Sequence, residues 1–460
     1  MNKHLLYLFL FLLAACGAKD EISQNVFFAG EIVNPTTAHV VLYKGDVVVD
    51  SAKLDERNRF SFQLDSITEG LYHFNHDPEV QYIYLQKGDS IVIRLNTVDF
   101  DESLIFTGRG EEINNFLLEL FLANEEEAER IRSYYWFEPN EFVAKIDSLK
   151  KEKLDILDGL AIEADLSDKE EKIARSSVFY NYNMYKEVYP FRHKRRTKNS
   201  IINDLPDNFY DYRAELTFDD QDLTYLRPYY NFVKYHVGNL SYMTCVNSCD
   251  IETSVIRNQL HFNKHKLHVI DSLVEEKELK DNLFRNVAFD YLLKVHDTEK
   301  NNESFIEGFH ELSSNNRHIN EINTLYEGIK NIQPNKKIPS IQVLDVEGNT
   351  ISLPEIAKNQ NTVFYFWSGT DRTHFENIKR RIAKLISEKP DYSYVGINIK
   401  TEQGHWKALL ESSNLDAENQ FRAPDFEELT KALIIYPLNK CIVTKDDVIV
   451  DAFANVYGPL

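Results

Sequence analysis

The chain has 460 residues, 43% of them hydrophobic and 12% aromatic, so it can bury substantial cores and is not a disordered tail. That length points to two or three domains rather than one. A formal charge of -21 excludes the basic face that phosphate backbones require, so nucleic acid is not an expected partner; the charge suits an acidic secreted protein.

At the start, Asn2-Lys3-His4 is a short positive region, Leu5 to Leu13 is wholly apolar, and Leu13-Ala14-Ala15-Cys16 follows. The apolar run is too short to span a bilayer comfortably and reads as a signal peptide over residues 1–15. The tetrapeptide resembles the lipobox of bacterial lipoproteins. That resemblance implies cleavage before Cys16, acylation of its thiol by a chain such as palmitate, and a tether over 16–25 that holds the protein to a membrane outside the cytoplasm. An ordinary secretory signal with an incidental cysteine is the other reading. Gly17 is not the Asp that retains lipoproteins at the inner membrane, and Lys19-Asp20-Glu21 resembles the short tract that some lipoproteins use for surface export. The expected location is the outer membrane, facing the periplasm or displayed at the surface.

From Val26 to about Gly110 the runs VFFAGEIV, HVVLYKG, DVVVDSAKL, RFSFQL, LYHFN, QYIYLQKGDSIVIRL and LIFTG alternate and turn at short intervals. Seven or so short strands predict an antiparallel β-sandwich over 26–110. GEIVN, LYKGDVVVDSAKLDERNRFSF, EGLYHF and IYLQKGDSIVI also resemble the small β-domain that precedes thioredoxin modules in a group of Gram-negative lipoproteins, a domain with no established chemistry. Lys87-Gly88-Asp89 reads as a tight turn between strands rather than a binding loop.

Helical periodicity then takes over, with Ile113, Phe116, Leu117, Leu120 and Phe121 on one face and Phe142, Ile146, Leu149, Leu154 and Leu157 continuing it. Ser167 to Glu170 is a capping box for a helix through Tyr185. Further helices are expected over Asp222 to His236, Thr253 to Val274, Asp281 to Val295 and Ile319 to Ile329, which makes 111–330 an all-α domain. The basic run Arg192-His193-Lys194-Arg195-Arg196 with Lys198 reads as a solvated loop, with contact to anionic lipid or a polyanion as the alternative. His261, His265 and His268 share a helix face at i, i+4 and i+7, but Lys264 intrudes and no Glu follows the first His, so no metal site is expected. Tyr182, Tyr185, Tyr189, Tyr210, Tyr212, Tyr225, Tyr229 and Tyr230 read as core packing with hydroxyls at the surface. Cys245 and Cys249 are spaced to close a small disulfide ring across Asn247-Ser248, or to stay as two thiols; neither a helix start nor a two-residue spacing marks them as a redox pair. Cys441 reads as buried and inert.

A polar linker, 331–339, carries Pro334 and Pro339, and a compact α/β pattern follows over 340–460. Its centre is Val363 to Phe375, VFYFWSGTDRTHF: a buried strand, a polar loop, and a helix opening on a Thr373-x-x-Glu376 capping box. Free amides and the positive end of the helix dipole face such a loop, so an anion or thiolate is stabilised there. IPSIQVLDVEGNTISLPEI, VFYFWSG and YPLNKCIVTKDDVIV resemble the entry hairpin, first core strand and cis-proline turn with closing hairpin of thioredoxin-like oxidoreductases of the TlpA and ResA kind. By that resemblance the two cysteines of the family's dithiol fall on Asp371 and His374, and the cis-proline on Pro437. Seven residues after Phe453 leave no room for the family's usual final helix.

Neither Asp371 nor His374 can attack sulfur as a thiolate does. The expected protein is therefore multidomain α+β: a β-sandwich, a central all-α domain and a thioredoxin-like domain with a degenerate redox site, lipid-anchored and acting as a non-catalytic binding or scaffold protein. Its partners are the membrane, through the lipid, and envelope proteins or extended peptide; no cofactor is expected. The alternative is a thiol-disulfide oxidoreductase of the cell envelope, with Cys245 and Cys249 acting from the helical domain. A surface glycan- or peptide-binding component is a third class with the same architecture.

Overall fold

The computed structural model describes residues 25–77, 79–202, 204–245, 249, 251–252, 255–413, 415–436 and 438–459. The expected lipidation site, Cys16, and the cis-proline candidate, Pro437, lie outside the described residues. The chain forms two compact units, one ending at Asn239 and one beginning at Leu240. The division falls within the stretch 111–330 expected to be all-α. Among the described residues no helix is long and apolar enough to cross a membrane.

In the first unit, β1 (Val26–Val33), β2 (His39–Lys44), β3 (Val47–Lys53), β4 (Arg59–Leu64), β5 (Gly70–His76), β6 (Glu79–Leu85), β7 (Ser90–Asn96) and β8 (Ile105–Arg109) form two four-stranded sheets. Their orders are β4-β1-β7-β8 and β3-β2-β5-β6. Alternate residues of β1 face inward, and Phe28 meets Phe60, Phe62 and Phe74 with ring centroids 5.3 to 5.9 Å apart. The sandwich is not wholly antiparallel: β7 runs parallel to β1, with Phe28 opposite Ile91. Between these two strands the chain visits the other sheet, so it re-enters beside β1 in the same direction, a connection that no hairpin makes. Gly30 lies at this seam, where a Cβ would come within 2.5 Å of Ile93 and 2.8 Å of Phe60.

Helix α1 (Glu111–Tyr134) closes two sheet edges with consecutive asparagines. Asn114 accepts from the Tyr84 amide at 2.7 Å and donates to the Tyr84 carbonyl at 3.0 Å, so its side chain pairs with edge strand β6 as a peptide group would. Asn115 does the same at Phe106 of edge strand β8, at 3.1 and 2.9 Å. Edge groups that would otherwise template pairing with another chain are covered. The turn after β6 leads from one sheet to the other, and Asp89 within it is only 3% exposed. Its carboxylate accepts from the Gln86 amide at 2.8 Å, yet burial pushes its pKa up to about 7.

Helices α2 (Pro139–Glu163), α3 (Asp168–Thr197) and the start of α4 (Arg227–Thr244) complete this unit. The Ser167 capping box forms as expected, with Glu170 reaching back to the Ser167 amide at 2.8 Å. Two expectations are overturned in α3. The basic run is its last turn, not a loop, and His193 within that turn is buried. The tyrosine hydroxyls of Tyr182, Tyr189 and Tyr212 are bonded inside, to Glu127 at 2.7 Å, the Phe137 carbonyl at 2.7 Å and Glu187 at 2.8 Å. Glu187, fully buried, also takes a forked bond from Arg213 and a bond from His236. Burial alone would raise its pKa, but these hydrogen bonds outweigh it and hold the carboxyl below its usual range.

The second unit adds the short pair β9 (Ile251–Glu252) and β10 (Val255–Ile256), then α5 (Gln259–Leu273), α6 (Lys277–Lys294), α7 (Glu299–Leu312) and α8 (Asn316–Asn331). Asn258 caps α5 by accepting from His261, which delays the helix start from the expected Thr253. The seven-stranded sheet has the order β12-β11-β15-β14-β13-β16-β17, where β11 is Gln342–Leu344, β12 Thr350–Ser352, β13 Asn361–Trp367, β14 Tyr392–Asn398, β15 Gln420–Arg422, β16 Lys440–Lys445 and β17 Val448–Asn455. Strands β13 and β14 are parallel, and β16 and β17 close antiparallel beyond them. The linker stretch is hydrogen-bonded to this sheet: Asn335 and Ile338 donate to Ile449 and Asp447 at 2.9 and 2.8 Å, and Lys336 accepts from Ile449 at 2.8 Å.

Candidate functional site

The site sits where β13 ends and α10 (Arg372–Glu388) begins, counting the one-turn helix Leu353–Ala357 as α9. Every residue from Thr362 to Trp367 is buried, because β13 is central and covered on both faces. Trp367 packs against Phe375 in a tilted ring contact at 4.8 Å, so the first turn of α10 is pinned to the end of the strand. Beneath the loop, Trp367 Nε1 donates to Gln420 Oε1 at 3.1 Å, and Gln420 Nε2 donates to the Tyr365 hydroxyl at 2.8 Å. Gly396 makes room for this relay; a Cβ there would lie 2.2 Å from Gln420 Oε1 and 2.7 Å from the Tyr365 hydroxyl.

The loop itself is held by hydroxyls. The Gly369 amide donates to Thr401 Oγ1 at 2.7 Å, Asn398 Nδ2 donates to the same oxygen at 3.0 Å, and Ser368 and Thr370 share a hydroxyl contact of 2.8 Å. The helix does not open on the expected Thr373 capping box. Asp371 is the N-cap, and its Oδ1 accepts from the His374 amide at 2.8 Å. An earlier Asx cap wins because its carboxylate meets both the free amides and the helix dipole, leaving Thr373 inside the first turn. The His374 imidazole is turned away from Asp371, with Nε2 against the Phe366 carbonyl at 3.1 Å. Both side chains at the expected dithiol positions are thus engaged in holding the strand-loop-helix geometry, and they do not form an acid-base pair.

The other thiols are remote in chemistry from this loop. Cys441 lies opposite Tyr365 in β16 and is fully buried; burial pushes its thiol up to about 12, so it stays protonated and inert. Cys245 and Cys249 are joined in a disulfide and are 5% and 0% exposed. Their sulfurs and the imidazole of exposed His261 lie within 4.8 Å of one another. Two thiolates and an imidazole are metal ligands, but sulfurs joined to each other are not thiolates. His265 instead meets the Thr244 hydroxyl at 2.8 Å, so the three histidines do not converge on one site.

Lys440, at the head of β16, has a structural role that pattern alone did not mark. It is buried, and its Nζ donates to the carbonyls of Leu433 and Ile434 at 2.6 and 3.0 Å, closing the end of α12 (Phe426–Leu433), with α11 being Gln403–Ser412. Burial lowers its pKa to about 7. A lysine heading the otherwise apolar run KCIV was the available signal. Arg381 of α10 ties down the segment after β17, donating to the carbonyls of Val456 and Gly458 at 2.8 Å each.

No protein-family model matches this chain. No curated protein matches it either. Among solved structures it is similar to the thioredoxin domain of a thiol-disulfide oxidoreductase from Bacteroides vulgatus, at 17% identity over 26% of this chain and 86% of that one, with a TM-score of 0.23. It is similar to a thiol:disulfide interchange protein from Bacteroides sp., at 16% identity over 26% and 80%, TM-score 0.23. A thioredoxin-like protein from Bacteroides caccae gives 11% identity over 55% and 89%, TM-score 0.34. At such identities and scores the likeness carries nothing about activity.

Proposed function

We propose that this chain is a lipid-anchored protein of the cell envelope whose thioredoxin-like domain binds extended peptide or an envelope protein and does not exchange disulfides. The observation that carries the reading is the N-terminus of α10, where a thiolate would be needed and the cap is Asp371 instead. The amides and dipole that would lower a thiol's pKa are used on a carboxylate, and no resolving thiol stands at His374. The anchor is proposed at Cys16, in the outer membrane, facing the periplasm or the surface.

Oxidoreductase activity from Cys245 and Cys249 has chemistry against it. Cys245 follows the C-terminal end of α4, where the helix dipole disfavours a thiolate, and both residues are buried. The binding reading is tested by fluorescence anisotropy with a labelled, S-carboxymethylated unfolded polypeptide, which cannot exchange disulfides. Saturable binding that weakens in Arg372→Trp, an exposed position beside the loop, supports it. Absence of binding, or binding indifferent to Arg372→Trp, refutes it.

A further inference from the structure

The last turn of α3 does more than end a helix. Together with α1 and α4 it walls a cleft of about 570 Å³ lined by Arg132, Arg192, Arg195 and Arg196, with the rings of Tyr135, Tyr185 and Tyr235 between them. All of these residues belong to the first unit. Arg192, Arg195 and Arg196 are exposed, and among the described residues none of the three has an ion-pair partner. That is unusual in a chain with 73 acidic and 52 basic residues, where carboxylates are abundant. Glu127 is committed elsewhere, buried against Tyr182, Arg130 and Lys153, and Glu129 already pairs with Arg132 at the rim, which leaves Arg192, Arg195 and Arg196.

The C-terminal end of a helix favours cations, which accounts for one or two of these arginines. It does not account for three without a carboxylate partner lining one concavity, where like charges repel until an anion joins them. Guanidinium forks match the oxygens of phosphate bidentately, and tyrosine faces cover the apolar part of whatever carries it. Burial raises the pKa of Tyr135 and of Tyr185, so both phenols remain neutral donors rather than competing anions.

We propose that the cleft between α1, α3 and α4 is a binding site for a phosphate monoester, held by Arg192, Arg195 and Arg196 with Arg132 at the rim. The site belongs to the first unit and does not depend on the function proposed for the second. A sugar phosphate and a phosphatidic-acid headgroup share this chemistry. Isothermal titration calorimetry on the full chain in detergent, at low salt and at 0.15 M, distinguishes them with two probes: glucose 6-phosphate and water-soluble dihexanoyl phosphatidic acid. Binding of either probe supports the site, and the tighter one names the source. Affinity falls at least tenfold in Arg192→Gln/Arg195→Gln/Arg196→Gln and is partly kept in the triple Lys variant, which retains charge without the fork. All three positions are exposed, so these variants fold. If neither probe binds, or if Lys151→Gln/Lys280→Gln/Lys337→Gln weakens binding equally through net charge alone, the proposal fails.

Discussion

Replacing Asp371 separates the two ways it holds α10. Asp371→Ala removes the 2.8 Å bond to the His374 amide and the charge at the positive end of the helix. Loss of an N-cap bond costs about 1 kcal/mol, and loss of the charge a further 0.3–1 kcal/mol or so. Asp371→Asn keeps an acceptor and loses only the charge, so it falls by about 0.5 kcal/mol. Trp367 and Trp406 are buried in the second unit while Trp136 is exposed, so tryptophan emission reports mainly on the unit that contains the site. With a urea slope of about 2–3 kcal/mol/M, the Ala variant moves the midpoint down by about 0.5 M and the Asn variant by about 0.2 M. Salt narrows the Asp-to-Asn difference and leaves the Asn-to-Ala difference unchanged. Equal losses in Asn and Ala would refute the capping role, because they would assign the whole effect to charge.

Three further outcomes follow from the first unit and the N-terminus. Asp89 has a folded pKa near 7 against 3.8 for the free group, so the folded state keeps its proton longer and this residue lowers stability progressively as pH rises from about 4 to about 7. Asp89→Asn should match the wild type in urea midpoint at pH 4 and exceed it above pH 7, by at most about 4 kcal/mol; an advantage that is constant with pH contradicts the burial argument. Asn114→Ala strands the amide and carbonyl of Tyr84 and should cost about 2–4 kcal/mol, with faster amide exchange confined to β6; unchanged exchange there argues against edge closure. Metabolic labelling with palmitate should mark the wild type and not Cys16→Ser, and equal labelling of both removes the anchor from Cys16.

Much of the fold was legible because period-2 alternation and caps are local. Ser167-x-x-Glu170 and the strands from Val26 onward show this, since each is set by neighbours a few residues away. The parallel pairing of β1 with β7 was not legible, because it depends on which sheet the intervening strands join. The helix over 299–312 escaped notice: Phe305 and Phe309 are its main buried anchors, among asparagines and glutamates that read as loop, and Thr298 is a cap that stands out only once the helix exists. At the site, the absence of the dithiol was plain in the residues themselves. What Asp371 and His374 do instead was not, since the choice between Asp371 and Thr373 as cap is decided by backbone angles, and the contact of His374 with Phe366 by the pinning of Trp367 on Phe375. The arginine cleft was visible as a charge run but was read as loop, because the helix was expected only through Tyr185 and in fact runs on to Thr197 with Pro190 inside it.

The central proposal is that the second unit does not exchange disulfides, and dithiothreitol-driven insulin reduction tests it most directly. The wild-type chain should not accelerate precipitation above dithiothreitol alone, and Asp371→Cys/His374→Cys, which restores a thiol at the helix start with its resolving partner, should. Acceleration by the wild type that disappears in Cys245→Ser would contradict it.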